Sequence, residues 1–125
     1  MAPGNEPLRV ELPDAVATYV HASNAADLGA LLDSFADDAL VNDQLRDYQG
    51  RQAIAEWAVS EIIAQRLTMN VTTAVRRYDN LILTAEVTGD FDMRGLPEPL
   101  VLGFYFSIFG NRIVQLVILR NRTDV

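Results

Sequence analysis

Asp43 is the residue whose type and place first suggest chemistry. A strand over Ala39 to Leu45 would put Ala39, Val41, Asp43 and Leu45 on one face and Leu40, Asn42 and Gln44 on the other. Val41 and Leu45 are core candidates, so the carboxylate stands on an apolar face. There it is costly unless paired, and desolvation strengthens it as a base. Such a base is what proton abstraction beside a carbonyl requires. The other reading is an acid at a strand end, hydrogen-bonded to loop amides. Tyr19 falls on the apolar face of a first helix with Leu12, Val16, Val20 and Ser23, at about 100° per residue. Read by itself it is a core tyrosine whose hydroxyl reaches a backbone carbonyl. Trp57 shares a helical stripe with Ile54, Ala58 and Ile62, which makes it a core residue or a ligand contact. Tyr105 lies with Gly103 and Ser107 on one face of a strand, opposite Phe104, Phe106 and Ile108. Arg120 ends the last strand on the face of Val114, Leu116 and Ile118, where it reaches an anionic ligand or Asp43, or else is solvated.

Other chemistries lack their residues. The sequence has no Cys, and all ten basic residues are Arg. That removes thiolate nucleophiles, disulfides, Cys-ligated metals, Schiff-base lysines and the P-loop lysine. The one histidine, His21, falls opposite Tyr19 on the polar side of the first helix, so neither a His-rich metal site nor a histidine base is offered. Asn42 faces away from Asp43. Glu86 sits with Thr84 and Thr88 on a face that reads as solvated or interfacial, and Arg76-Arg77 points to both faces of its strand rather than forming a patch.

The elements that position these residues follow from periodicity. The arm 1–12 has Pro3, Gly4 and Pro7 and no period, and reads as flexible. Pro13 suits a helix start. Asp27 is placed to cap a second helix, Leu28 to Phe35. Asp37-Asp38 reads as a turn before the Ala39 to Leu45 strand, and Tyr48-Gln49-Gly50 as a loop. Arg51 to about Leu67 is the longest helix. Alternation then marks strands over Met69 to Tyr78, Leu81 to Thr88, Leu100 to Phe109 and Ile113 to Leu119, with Gly110-Asn111 as a hairpin turn. Helices followed by an antiparallel meander argue an α+β fold. The domain spans 13–120, and 121–125 is a tail.

This order, with a short strand between the second and third helices, resembles the nuclear transport factor 2-like superfamily, and within it the SnoaL-like branch of polyketide cyclases and ketosteroid isomerase. The sharpest stretch is Phe35-Ala36-Asp37-Asp38-Ala39-Leu40-Val41-Asn42-Asp43, then Gly50-Arg51 opening a helix with Ile54 and Trp57. The final hairpin, Phe104-Tyr105-Phe106 through Arg112-Ile113-Val114, is also similar to the family. The resemblance implies a cone-shaped α+β barrel, with three N-terminal helices packed on a curved, mainly antiparallel sheet around an apolar pocket. It implies Asp43 as the proton-shuttling base, Tyr19 as the donor to a substrate oxyanion, and Tyr105 where the isomerase has a protonated aspartate. Trp57 and Arg120 would line the pocket. Catalysis would be cofactor-independent isomerisation, cyclisation or lysis of a small hydrophobic carbonyl compound. A non-catalytic ligand-binding or dimerisation module of the same fold is the alternative.

Composition bounds the partners. The chain has 125 residues, one domain's worth, and half are apolar. Its net charge of -7 argues against nucleic acid and anionic membranes as partners. The acidity is concentrated in residues 1–50, with nine acids against two arginines. No apolar run is long enough to span a bilayer and the N-terminus has no apolar signal core, so the expectation is a cytoplasmic protein. Strands apolar on both faces, such as Leu100 to Phe109, predict a homodimer through the outer sheet face.

Overall fold

The computed structural model describes residues 11–78 and 80–120. Most of the proposed arm and the 121–125 tail lie outside the described residues. The elements are α1 (Asp14–Ala25), α2 (Leu28–Asp33), β1 (Phe35–Asp43), β2 (Arg46–Gln49), α3 (Arg51–Ala58), β3 (Thr68–Arg77), β4 (Asn80–Thr88), β5 (Leu100–Phe109) and β6 (Arg112–Arg120). A π-helical turn, Val59–Ile63, continues α3.

Local signals account for the helix boundaries. Pro13 precedes α1, and its carbonyl accepts from the Ala17 N–H at 2.9 Å. Ala26 closes α1 in the left-handed region, and Asp27 caps α2 by accepting from the Ala30 N–H at 3.1 Å. Gly50 opens α3 with φ 90° and ψ 167°, a conformation reserved for glycine.

The six strands form one open sheet in the order β2-β1-β6-β5-β4-β3, with β2 and β3 at its edges. All neighbours run antiparallel except β1 and β6, which are parallel. The curved sheet carries the three helices on its inner face. The core between them gathers Val16 and Tyr19 of α1, Leu31 of α2, Ile54 and Trp57 of α3, and Leu83, Phe104, Phe106 and Leu116 of the sheet. Tyr19 is its aromatic centre, edge-on to Phe35 at 5.9 Å and to Phe106 at 5.4 Å between ring centroids. Among the described residues no helix is long and apolar enough to cross a membrane.

Several boundaries differ from the sequence reading. Phe35 starts β1 rather than ending α2, and Asp37-Asp38 lies within β1 at an irregularity between Phe35 and Leu40. The strand ends at Asp43 because Gln44 and Leu45 adopt φ 54° and 73°, the two left-handed residues of a tight hairpin into β2. Leu45, expected in the core, is therefore 82% exposed. The segment read as a loop at Tyr48 is the edge strand β2. The third helix is interrupted, with i to i+5 bonds from the Ala64 N–H to Val59 at 2.8 Å and from the Leu67 N–H to Ile62 at 2.9 Å.

Tyr105 is the correction that touches function. It was expected on the pocket wall, but β5 alternates Leu102, Phe104 and Phe106 inward, so Tyr105 falls on the outer face and is 41% exposed. Its ring lies along the sheet over Gly103, where a Cβ would stand 3.2 Å from its Cε1. It lines none of the cavities around Asp43.

Candidate functional site

Asp43 is the last residue of β1, paired with Ile118 on the parallel neighbour and Arg46 across the hairpin. The turn behind it is fixed by Gln44, whose backbone N–H and side-chain amide both donate to the Ile118 carbonyl, at 3.0 and 3.2 Å. Asp43 is half-buried, and its Oδ2 accepts from the Trp57 indole Nε1–H at 2.9 Å. The partner is thus an indole, not a set of loop amides. Trp57 is itself 2% exposed and packs beside Tyr48 at 6.3 Å between ring centroids.

Asp43, Tyr19 and Trp57 meet on one small inner chamber of about 60 Å³, closed by Ile62, Leu67, Leu102, Phe104 and Ile118. Helix phase delivers Tyr19 and strand phase delivers Asp43. Tyr19 is 1% exposed, and its hydroxyl makes no hydrogen bond with any described residue. Burial, and then the nearby Asp43 carboxylate, hold the phenol far above the ordinary tyrosine range. Tyr19 therefore stays a neutral donor, with its proton available to a ligand oxygen.

A wider mouth of about 270 Å³ shares Asp43, Glu61, Leu67 and Leu102 with the inner chamber. Val87, Phe91, Leu96 and Leu100 give it an apolar floor, while Gln44, Gln65 and Arg120 supply polar groups. Arg120 thus stands at the end of β6 and reaches the same space as Asp43. A side pocket of about 290 Å³ lies between Asp43, Gln44, Arg46, Tyr48 and Glu61. The inner chamber has less than a quarter of the volume of the mouth.

Glu61 was not among the expected site residues, yet it lines all three cavities. The signal was present in the helical period: Glu61 follows Ile54 by seven positions and Trp57 by four, on the same stripe. It sits in the π-helical turn, a local form common at functional sites. His21 is exposed on α1, and Asn42 faces the outer side, donating to Asp47 Oδ1 at 2.6 Å. Among the described residues no group of three or more acidic or histidine side chains could hold a metal ion.

No family model matches the chain, and no curated protein does. Solved structures do. A protein assigned as a polyketide cyclase from Sinorhizobium meliloti is 33% identical, with 86% of this chain and 95% of that one covered and a TM-score of 0.78. A protein assigned as a ketosteroid isomerase from Kribbella flavida is 9% identical, with 90% and 79% covered and a TM-score of 0.73. An NTF2-like protein of unknown function from Cytophaga hutchinsonii is 11% identical, with 86% and 88% covered and a TM-score of 0.70. The last two are similar in fold alone.

Proposed function

The chain belongs to the SnoaL-like, polyketide cyclase-like branch of the nuclear transport factor 2-like superfamily, and from that premise we propose that it is a cofactor-independent isomerase or cyclase acting on a small, largely apolar carbonyl compound. The observation that carries this reading is the pairing of Asp43 with Tyr19 across a small chamber. The carboxylate is held by an indole through Oδ2, and the phenol keeps its proton and has no described protein partner.

In the proposed step the carbonyl oxygen lies toward Tyr19 and the adjacent carbon toward Asp43. The carbon–hydrogen bond breaks, and its proton moves to the free Oδ1 of Asp43. The electron pair moves to the carbonyl oxygen, which accepts from the Tyr19 hydroxyl. The enolate then takes the proton back at another carbon, which is isomerisation. Alternatively it attacks a second carbonyl of the same molecule, and the proton passes to the new alkoxide, which is cyclisation. The low-polarity walls strengthen both interactions.

The test is proton exchange. The protein is incubated in heavy water with a panel of small ketones, β,γ-unsaturated cyclic ketones included, and deuterium uptake and conjugation are followed. Exchange is expected with the wild type and lost with Asp43→Asn, while Tyr19→Phe lowers it by about 10²–10³. A bound ketone that never exchanges would leave a ligand-binding module of the same fold. Exchange that survives Asp43→Asn would remove Asp43 as the base.

We also propose a homodimer through the outer sheet face. Val75, Ile82, Tyr105 and Val117 are paired in register across β3, β4, β5 and β6. Val75 is 47% exposed and Tyr105 41%, so this apolar row lies uncovered in the single chain. Sedimentation at micromolar concentration should give a dimer, and a monomer would refute the assembly.

A further inference from the structure

The inner chamber has a charge pattern that proton transfer alone does not use. Its lining holds two carboxylates, Asp43 and Glu61, and no basic side chain. Arg120 and Arg46 are exposed and line the mouth and the side pocket respectively, not the inner chamber. The aromatic side chains of Tyr19, Trp57 and Phe104 form much of the remaining wall. Tyr19 is 1% exposed and lines this chamber. The phenol is neutral, so it adds no positive charge and is free to accept as well as donate.

This arrangement favours a substrate that brings a positive charge of its own. An enolate formed beside Asp43 develops negative charge in a space already faced by the Glu61 carboxylate. Like charges repel, and a positive charge on the substrate relieves that repulsion. Aromatic faces combined with carboxylates are instead the chemistry that holds an organic ammonium ion. Glu61 lines the chamber, the mouth and the side pocket, so a cation held there lies next to the carbonyl site without filling it.

We infer that the substrate carries a protonated amine, held by Glu61 at the junction of chamber and mouth and flanked by the aromatic wall. The inference rests on the reading of the chamber given above and names the class of carbonyl compound that it takes. Glu61 is then a specificity-determining residue, and the ammonium offsets the negative charge that builds on the enolate.

Binding of defined probes tests this independently of turnover. Trp57 is the only tryptophan in the sequence, so its indole N–H gives one proton–nitrogen resonance, at the chamber wall. The intact protein is titrated with choline, with its uncharged isostere 3,3-dimethylbutan-1-ol, and with 3,3-dimethylbutanoate. Choline should move the Trp57 signal saturably. The alcohol should bind at least about tenfold more weakly, a difference of about 1.4 kcal/mol, and the carboxylate more weakly still. Glu61→Gln should bring choline down to the level of the alcohol, and Glu61→Asp should retain part of the preference. Backbone spectra of both variants check that the fold is intact. Equal binding of choline and the alcohol would overturn the inference. So would a choline affinity unmoved by Glu61→Gln, or no shift of the Trp57 signal at about 100 mM choline, well above the millimolar range of weak ligands. Choline recognition without exchange of either neutral or ammonium-bearing ketones would keep the cation site and refute Asp43 as a base. Exchange of neutral ketones without choline recognition would do the reverse.

Discussion

Replacing Trp57 by phenylalanine isolates the contact that holds the candidate base. The indole N–H donates to Asp43 Oδ2 at 2.9 Å. Phenylalanine keeps an aromatic ring beside Tyr48 but removes the donor. A hydrogen bond to a charged group contributes about 1.5–3 kcal/mol when buried. Asp43 is half-buried, so solvent screens part of this, and about 1–2 kcal/mol is the reasonable expectation. The smaller ring also loses packing, which makes the single variant ambiguous. A double-mutant cycle of Trp57→Phe and Asp43→Ala cancels that loss and leaves the coupling. Unfolding in urea should be followed by circular dichroism, because the substitution removes the chain's sole tryptophan. A coupling of about 1–2 kcal/mol is expected, a factor of about 5–30 in the folding equilibrium. A coupling under about 0.5 kcal/mol, the range of independent sites, would refute Trp57 as the group that fixes Asp43.

Gly50→Ala should destabilise the fold by about 1–3 kcal/mol, since φ 90° with ψ 167° excludes a side chain; an unchanged denaturation midpoint would contradict that strain. Leu116→Ala, at a position with 0% exposure, should lower stability by about 2–5 kcal/mol in the same assay. Asp27→Ala should remove the cap of α2 at a cost of about 1 kcal/mol, and a neutral result would show the cap to be replaceable. The Tyr19 phenol is raised by folding above its ordinary value of 10.0. Its contribution is therefore intact below pH 10.0 and declines as the pH rises, because the unfolded chain ionises first. Tyr19→Phe should flatten that alkaline decline, and an unaltered pH profile would count against a buried phenol.

How much of this could be read from the residues depends on which physical rule placed each one. Tyr19 and Trp57 were legible because a helical stripe is set by local periodicity, and the stripes at Val16 and Ile54 were unambiguous. Asp43 was legible for the same reason in period two. The strand boundaries were not, because Asp37-Asp38 and Tyr48-Gln49 carry turn residues that tertiary pairing overrode. The parallel pairing of β1 with β6 closes a contact across more than half the chain, and no local pattern encodes it. Tyr105 shows the limit of carrying a residue across from a family. Its neighbours Phe104 and Phe106 are the inward pair, and alternation alone places Tyr105 outside.

Glu61 shows a different limit, and it bears on how the site is built. Its place on the Trp57 stripe was readable, but a carboxylate in an otherwise apolar helical face is ordinarily assigned to the solvent side. The π-helical turn changes that assignment. A turn with i to i+5 bonds winds more residues per revolution, so it shifts the helix phase between Trp57 and Ile62 while both remain buried. Glu61 lies between them and faces the cavities at the end of β1, although the residue as a whole remains exposed. The helix that supplies the indole holding Asp43 thus also supplies the second carboxylate. Both reach the chamber because the helix is irregular where it passes the strand end.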